Sequence, residues 1–136
     1  MKAVRYILAN DSNITAVVAA TNIWRNQPKS TNVRPYIVID TEDVIPSNQM
    51  RATSNRDEYR VRVSVFADLL TTSGSTVGAE TLGALCRTSL EAYYTGGTVD
   101  GDNLHISFED EFQGSMKVNS QNAHMVVQEY SVKLKR

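Results

Sequence analysis

Few side chains in this sequence could do chemistry, and they do not fall into the groupings that catalysis requires. The densest is Glu109-Asp110-Glu111. On a strand, Glu109 and Glu111 share one face about 7 Å apart, a spacing open to a divalent ion or an acid–base pair. A nuclease or glycosidase would need more around them, and no lysine, histidine or further aspartate is patterned there. The plainer reading is an acidic patch that faces water or a neighbouring subunit. His105 and His124 are too far apart for a local metal motif, and both fall at solvent-facing or terminal strand positions.

The single cysteine, Cys86, excludes an internal disulfide. It falls on the inner stripe of a helix, with no neighbour in sequence to activate a thiolate, and reads as a small buried hydrophobe. Gly74, Gly96 and Gly97 are turn glycines, and neither a GxxxxGK(S/T) nor a GxGxxG phosphate cradle occurs. Ser12, Ser73 and Ser89 sit in no nucleophile elbow. Tyr93-Tyr94 suits a core ring followed by a capping ring better than a stacking platform. Arg60 and Arg62 share the polar face of a strand, where either could pair with Glu109 or Glu111 across the sheet or a subunit boundary. These residues call for no catalytic set, no metal and no cofactor.

The elements that position them follow from periodicity. Tyr59, Val61, Val63, Val65 and Ala67 alternate with Arg60, Arg62, Ser64 and Asp68, which predicts a strand with one buried face and Phe66 as the exception. After the turn Ser73-Gly74-Ser75-Thr76, the residues Gly78, Leu82, Leu85, Cys86, Ser89, Leu90 and Tyr93 recur at helical spacing and predict an amphipathic helix. Upstream, Val4, Ile7 and Leu8, then Ile14, Val17 and Val18, mark two short helices divided by Asn10-Asp11-Ser12-Asn13. Ile23-Trp24 is an isolated apolar pair of extended residues. Pro35 leads into the strand Tyr36-Ile37-Val38-Ile39-Asp40, covered on both sides and fading by Asp43 to Ile45.

Ile45 to Arg56 carries no period and reads as a protruding arm that orders against a neighbour, with Ile45 and Met50 as its apolar contacts. Leu104, Ile106, Phe108 and Phe112 share one face of a third strand, interrupted by Asp110. Gln113 to Asn122 reads as a second polar loop. A last strand, His124 to Leu134, points Val126, Tyr130, Val132 and Leu134 inward, with Gln128 the polar exception. The expectation is an α+β two-layer sandwich: a mostly antiparallel four-stranded sheet, one main crossing helix and two short N-terminal helices, in one domain spanning residues 1–136.

A chain of 136 residues buries enough surface to fold without metals or disulfides. Its net charge of −1 argues against binding by broad phosphate neutralisation. The N-terminus lacks the apolar core and cleavage site of a signal peptide, and no run reaches membrane-spanning length, so folding in the cytosol is expected.

Taken in order, the N-terminal helix pair, Arg34-Pro35-Tyr36-Ile37-Val38-Ile39, Arg60-Val61-Arg62-Val63-Ser64-Val65-Phe66-Ala67, the helix Ala79 to Leu90 and the closing strand pair resemble the tail-completion or tail-terminator proteins of long-tailed bacteriophages and gene transfer agents. The resemblance implies a structural, non-enzymatic virion protein assembled in the host cytoplasm. It would form a ring, usually of six copies, on the head-proximal end of the tail tube. That ring would end tube polymerisation and join the tail to the head–tail connector or adaptor protein. Double-stranded DNA would pass through the lumen without specific binding, and no membrane is involved. Residues at subunit or partner interfaces are then expected at Ile45, Met50, Arg51, Arg56, Met116, Lys117 and Val118, with Glu109 and Glu111 as an acidic lining of the lumen. Two alternatives stand beside this reading. One is a connector-side adaptor or stopper ring, and the other is a small α+β enzyme using Glu109, Glu111 and His105.

Overall fold

The computed structural model describes residues 2–26, 34–46, 56–118 and 121–135. Its elements, in order, are α1 (Lys2–Ala9), α2 (Ser12–Thr15), a 3₁₀ turn (Ala20–Asn22), β1 (Ile23–Arg25), β2 (Tyr36–Pro46), β3 (Arg56–Ala67), α3 (Ala79–Glu91), β4 (Gly97–Val99), β5 (Asp102–Val118) and β6 (Gln121–Lys135). The strands form one sheet in the order β1-β2-β3-β6-β5-β4. The expected four strands are its centre. The sheet is extended at each edge by a three-residue strand, and β1 runs parallel to β2 while every other pair is antiparallel. Edge strands that short carry no readable period, so the two-layer, four-stranded expectation is corrected to a mixed six-stranded α+β fold.

The helices pack on one face of the sheet. Val4, Ile7 and Leu8 of α1, Ile14 and Val18 around α2, and Leu82, Cys86 and Leu90 of α3 meet Ile37, Ile39, Val61, Val63, Val65, Leu104, Ile106, Tyr130 and Val132 in the main core. The period-two pattern in β3 holds on the helix side, where Val61, Val63, Val65 and Ala67 are buried and Tyr59 is half-buried, but Ser64, expected on the polar face, is buried too. Arg5 secures the N-terminal layer, since its guanidinium donates to the carbonyls of Ile23 and Ala20 at 2.9 and 3.1 Å. Asp11 caps α2 by accepting from the Asn13 amide.

The start of α3 is held by the chain that precedes it. The Ala79 and Glu80 amides donate to the carbonyls of Leu69 and Leu70, supplying partners for two of the amides a helix leaves open at its N-terminus. Gly78 lies so close to this loop that a Cβ there would meet the Thr71 and Leu70 backbone at 2.5–2.8 Å. At the other end, the Tyr93 ring lies over Gly97, where an added Cβ would be 2.6 Å from it.

Two expectations about loops change. β2 runs on to Pro46, and the Gln113–Asn122 segment is mostly strand, with Val118 opposite Gln121. The β2–β3 and β5–β6 hairpins lie at opposite ends of the sheet. Arg56 pairs with Lys135, whereas the β5–β6 hairpin continues beyond the last β3 pair, Ala67 with His124.

Candidate functional site

The sheet face opposite the helices divides into an apolar and a charged half. Residues in register form rows across the strands, and each row presents one side-chain direction. Trp24, Val38, Ser64, Val127 and Phe112 make one row, and Tyr36, Phe66, Met125 and Gly114 make the next. Here Trp24, Tyr36 and Val38 form a second small core with Phe66, in which the Tyr36 and Phe66 rings stack with centroids 4.6 Å apart. Trp24 therefore helps to seal this face of the sheet. Burial raises the pKa of the Tyr36 hydroxyl, partly offset by the Arg34 charge.

One row further along, Asp40, Arg62, Glu129 and Asp110 lie side by side. Arg62 is the hub: its Nη2 bonds the Glu42 carboxylate and reaches Glu129 Oε1 at 3.2 Å. Its Nε is shielded from solvent and has no hydrogen-bond partner in the structure. Glu109 lines a shallow cleft with Glu42, Arg60 and Glu129. Beyond them Ser131 Oγ donates to Glu58 Oε1 at 2.8 Å. Carboxylates outnumber cations on this half, so its potential is negative.

The acidic pair expected from alternation is not a pair. A register shift between Phe108 and Asp110 inserts one extra residue into β5 and reverses its phase. Leu104, Ile106 and Phe108 face the helices as expected, but beyond the bulge Phe112 faces the other way and is 43 % exposed. Glu111 moves to the helix side, where Oε1 accepts from Gln128 Nε2 at 2.8 Å. Glu109 stays with Glu42 and Glu129 on the opposite face. His105 pairs with Lys133 near the start of β5, six positions before Glu111 along the strand. The three groups proposed for an enzyme are thus not brought together. Among the described residues no group of three or more His, Cys, Asp or Glu side chains could hold a metal ion. Within the chain Arg62 pairs with Glu42 and Glu129, while Arg60 lines the same cleft as Glu109.

Under α3 lies a polar chain that alternation alone marked only as an exception. Gln128, fully buried, donates from Nε2 to the Gly83 carbonyl and to Glu111, and its Oε1 accepts from the Tyr130 hydroxyl. Burial drives the Tyr130 pKa upward, with the Cys86, Glu91 and Glu111 charges adding to the shift. Cys86 is buried as expected, and burial pushes its thiol up to about 12, which leaves no thiolate near neutral pH. Arg87 lies 3.7 Å above the Phe108 ring and bonds Glu91 one helical turn on.

Of the expected interface residues, Ile45 is in β2 opposite Glu58, Arg56 opens β3, and Met116, Lys117 and Val118 lie in β5 opposite Ala123, Asn122 and Gln121. Met50 and Arg51 lie outside the described residues. Among the described residues, long strand edges have no strand partner. β1 pairs only with Ile37–Ile39 of β2, and β4 only with Asp102–Leu104 of β5, so no described strand pairs with the outer edge of β5 from His105 to Val118. The Ile106 amide on that edge donates instead to the Tyr93 carbonyl.

Comparison with known proteins gives a consistent picture. No curated protein matches the sequence. The fold is similar to a chain from the virion of a native gene transfer agent (GTA) particle, with a TM-score of 0.68 at 17% identity, covering 99% of this chain and 93% of that one. No helix among the described residues is long and apolar enough to cross a membrane. A family model described as "Tail completion protein gp17" matches residues 2–131, and the chain belongs to this tail completion family, whose members are structural proteins of the virion tail.

Proposed function

We propose that this protein forms a ring, of six copies, at the head-proximal end of the tail tube, where it ends tube polymerisation and joins the tail to the head connector. Family membership supplies the setting, and the observation that carries the ring is the pair of hairpins at opposite ends of one sheet beside the open edge of β5. A chain with different contact surfaces at its two ends associates head-to-tail, and such contacts close when the rotation between copies divides a circle. Each copy acts as one domain, with Ile45, Met50, Arg51 and Arg56 at one end and Met116, Lys117 and Val118 at the other serving neighbours, the tube protein and the connector.

The charged half of the sheet faces the DNA path in this reading. Glu109 keeps its place there, now with Glu42, Asp110 and Glu129 as companions, and Glu111 leaves it for the helix side. A negative wall repels the phosphate backbone and lets the duplex slide. The role in this reading is mechanical, as membership of a family of structural virion tail proteins supports.

Oligomeric mass by light scattering over a concentration series, with negative-stain images of the same fractions, tests this function. Closed rings near six subunits, formed alone or on added tail tubes, are the expected result. Tubes that keep growing in the presence of the protein would overturn it.

A further inference from the structure

A cleft runs between α3 and the far half of β5. Glu80, Ala84 and Arg87, on one flank of α3, line it opposite Glu111 and Gln113 of β5, with Val126 at its base. All of these but Val126 are exposed. Beyond the β4 pairing and the Ile106 amide that bonds Tyr93, the outer edge of β5 beside the cleft is paired with no described strand. Proteins commonly blunt such edges with a bulge or a proline, yet from Glu111 to Val118 β5 has neither. An open strand edge beside a helix flank suits an extended segment that joins the sheet, with main-chain bonds along the edge and alternate side chains in the groove.

The cleft is acidic. Glu80 and Glu111 each accept from a glutamine amide, at 2.9 and 2.8 Å, and a neutral donor leaves their charge in place. Arg87, the cation beside them, bonds Glu91 at 3.0 Å and lies 3.7 Å above the Phe108 ring. On the other face of the same edge stands Phe112, 43 % exposed.

The nine residues from Ser47 to Asn55 hold one charged residue, Arg51, next to Met50, and no proline that would withhold an amide from a strand ladder. They connect strands whose last pair is Pro46 with Asp57. The cleft is level with Val126, which pairs with Val65, nine residues along β3 from Arg56 and roughly 30 Å away at the usual rise per residue. Nine residues tethered at both ends extend at most about 17 Å from their anchors. The segment therefore cannot enter the cleft of its own chain.

We infer that residues 47–55 of one copy add as a strand to the outer edge of β5 in the next copy, with Arg51 in the cleft against Glu80 and Glu111. Neighbouring residues of a strand point to opposite faces, so Arg51 in the cleft puts Met50 beside Phe112. The occupant is a second copy because the segment matches the edge in charge, in apolar–basic order and in amide supply, and its reach excludes the chain it belongs to. Donor and receiver are unlike surfaces, so the contact is heterologous and propagates in one direction. Charge complementarity steers the segment to the edge, and the main-chain ladder holds it there. This inference rests on the ring reading and specifies the contact that closes the ring.

The test uses the full chain. Ala84→Arg fills the cleft and sets a like charge against Arg51, and Arg51→Glu reverses the incoming charge. Ala84 is exposed and arginine is a good helix former, so Ala84→Arg is expected to keep the wild-type melting temperature by circular dichroism. Self-association of either variant is expected to weaken about tenfold or more, as for loss of an interface anchor. In a mixture of Arg51→Cys chains and Ala84→Cys chains, a short bismaleimide is expected to join one of each. Neither chain cross-links alone, because Cys86 is buried and a heterologous contact does not bring identical sites together. Hydrogen exchange over residues 111–115 is expected to be slower in wild-type assemblies than in Ala84→Arg. Rings that persist in both charge variants, mixed chains that fail to cross-link within rings, or exchange that is equally fast in both proteins overturn this docking and leave the ring standing. Exchange that slows only on added tail tubes, with no cross-link between copies, assigns the cleft to the tube protein and overturns the segment as its occupant. A wild-type chain that stays monomeric, alone and with tail tubes, overturns both the docking and the ring.

Discussion

Tyr130 donates its hydroxyl to Gln128 Oε1 at 2.6 Å, two residues back on the same strand and on the same face, beneath α3. The bond fixes which way the Gln128 amide points. With Oε1 occupied, Nε2 is free to reach the Gly83 carbonyl and Glu111, tying β6 to α3 and to β5. The network is satisfied only as a whole. Tyr130→Phe leaves Gln128 Oε1 buried without its donor and is expected to cost about 1–2 kcal/mol. Gln128→Leu strands the hydroxyl and should cost about 1–3 kcal/mol, with the double variant recovering part of the sum. Urea unfolding of the three variants measures this, and strict additivity would show that the bond does not couple the two side chains.

The approach of Gly78 to the Leu70–Thr71 backbone leads to a second expectation. Gly78 has φ −84°, so its conformation suits any residue, and the constraint is contact alone. Neither partner is a flexible side-chain end. Gly78→Ala therefore has to push the loop off the helix start, breaking the amide bonds of Ala79 and Glu80 to Leu69 and Leu70. A loss of about 2–4 kcal/mol is expected, as for overpacking with backbone shift. Gly74→Ala is the control for the other kind of glycine. Nothing lies within 4 Å there but φ is +59°, so its cost comes only from the left-handed backbone and should be nearer 1 kcal/mol. Thermal melts of the two variants compare them directly.

The long central strands were legible because β3 is paired on both sides from Asp57 to Phe66 with a helix layer above, so burial follows the pleat at Val61, Val63, Val65 and Ala67, with Ser64 buried as well by the small core on the other face. The stripe on α3 was nearly right. It is rotated towards Ala79 and Gly83, small residues that let the helix come down on Val126 and Gln128. What escaped was what a single residue decides. The bulge after Phe108 leaves no mark in composition, yet it exchanges the faces of Glu111 and Phe112 and dissolves the acidic pair. The β5–β6 hairpin was hidden because Gly114, Ser115 and Asn122 look like loop residues, although Phe112, Gly114, Met116 and Val118 keep a strand's period. Glu42 and Glu129, the true partners of Arg62, come from strands far apart in sequence, and no local spacing announces them.

Alkaline pH offers a third measurement. Cys86 ordinarily titrates near 9.0, and burial, reinforced by the Asp11 charge, pushes it up to about 12. A neutral acid with a raised folded pKa keeps its proton in the native state while the unfolded chain releases it. Stability is therefore unaffected below pH 9 and falls as pH rises towards 12, by up to about 1.4 kcal/mol per pH unit for the one group. Tyr130 adds a fall of the same sign above pH 10, where an ordinary tyrosine ionises. Between pH 9 and 10 the decline belongs mainly to the thiol, so Cys86→Ala should flatten the curve there whatever its cost at pH 7. Denaturant midpoints at closely spaced pH values check this, and an unchanged slope would show that the thiol is not buried in the folded state.

Arg62 and its carboxylates give a prediction about salt. The guanidinium is partly exposed, so either ion pair alone contributes little. Its larger effect is to hold Glu42 and Glu129, with Asp40 and Asp110 in the same row, on one negative face. Arg62→Met keeps much of the side-chain volume and removes the only cation among them in that row. Repulsion between the remaining carboxylates then destabilises the fold by about 1 kcal/mol at low ionic strength. Screening over a Debye length of about 3 Å in 1 M salt should abolish most of that difference. A variant that remains equally destabilised across the salt series would assign the loss to packing around the shielded part of the Arg62 side chain, because packing, unlike charge repulsion, is not screened.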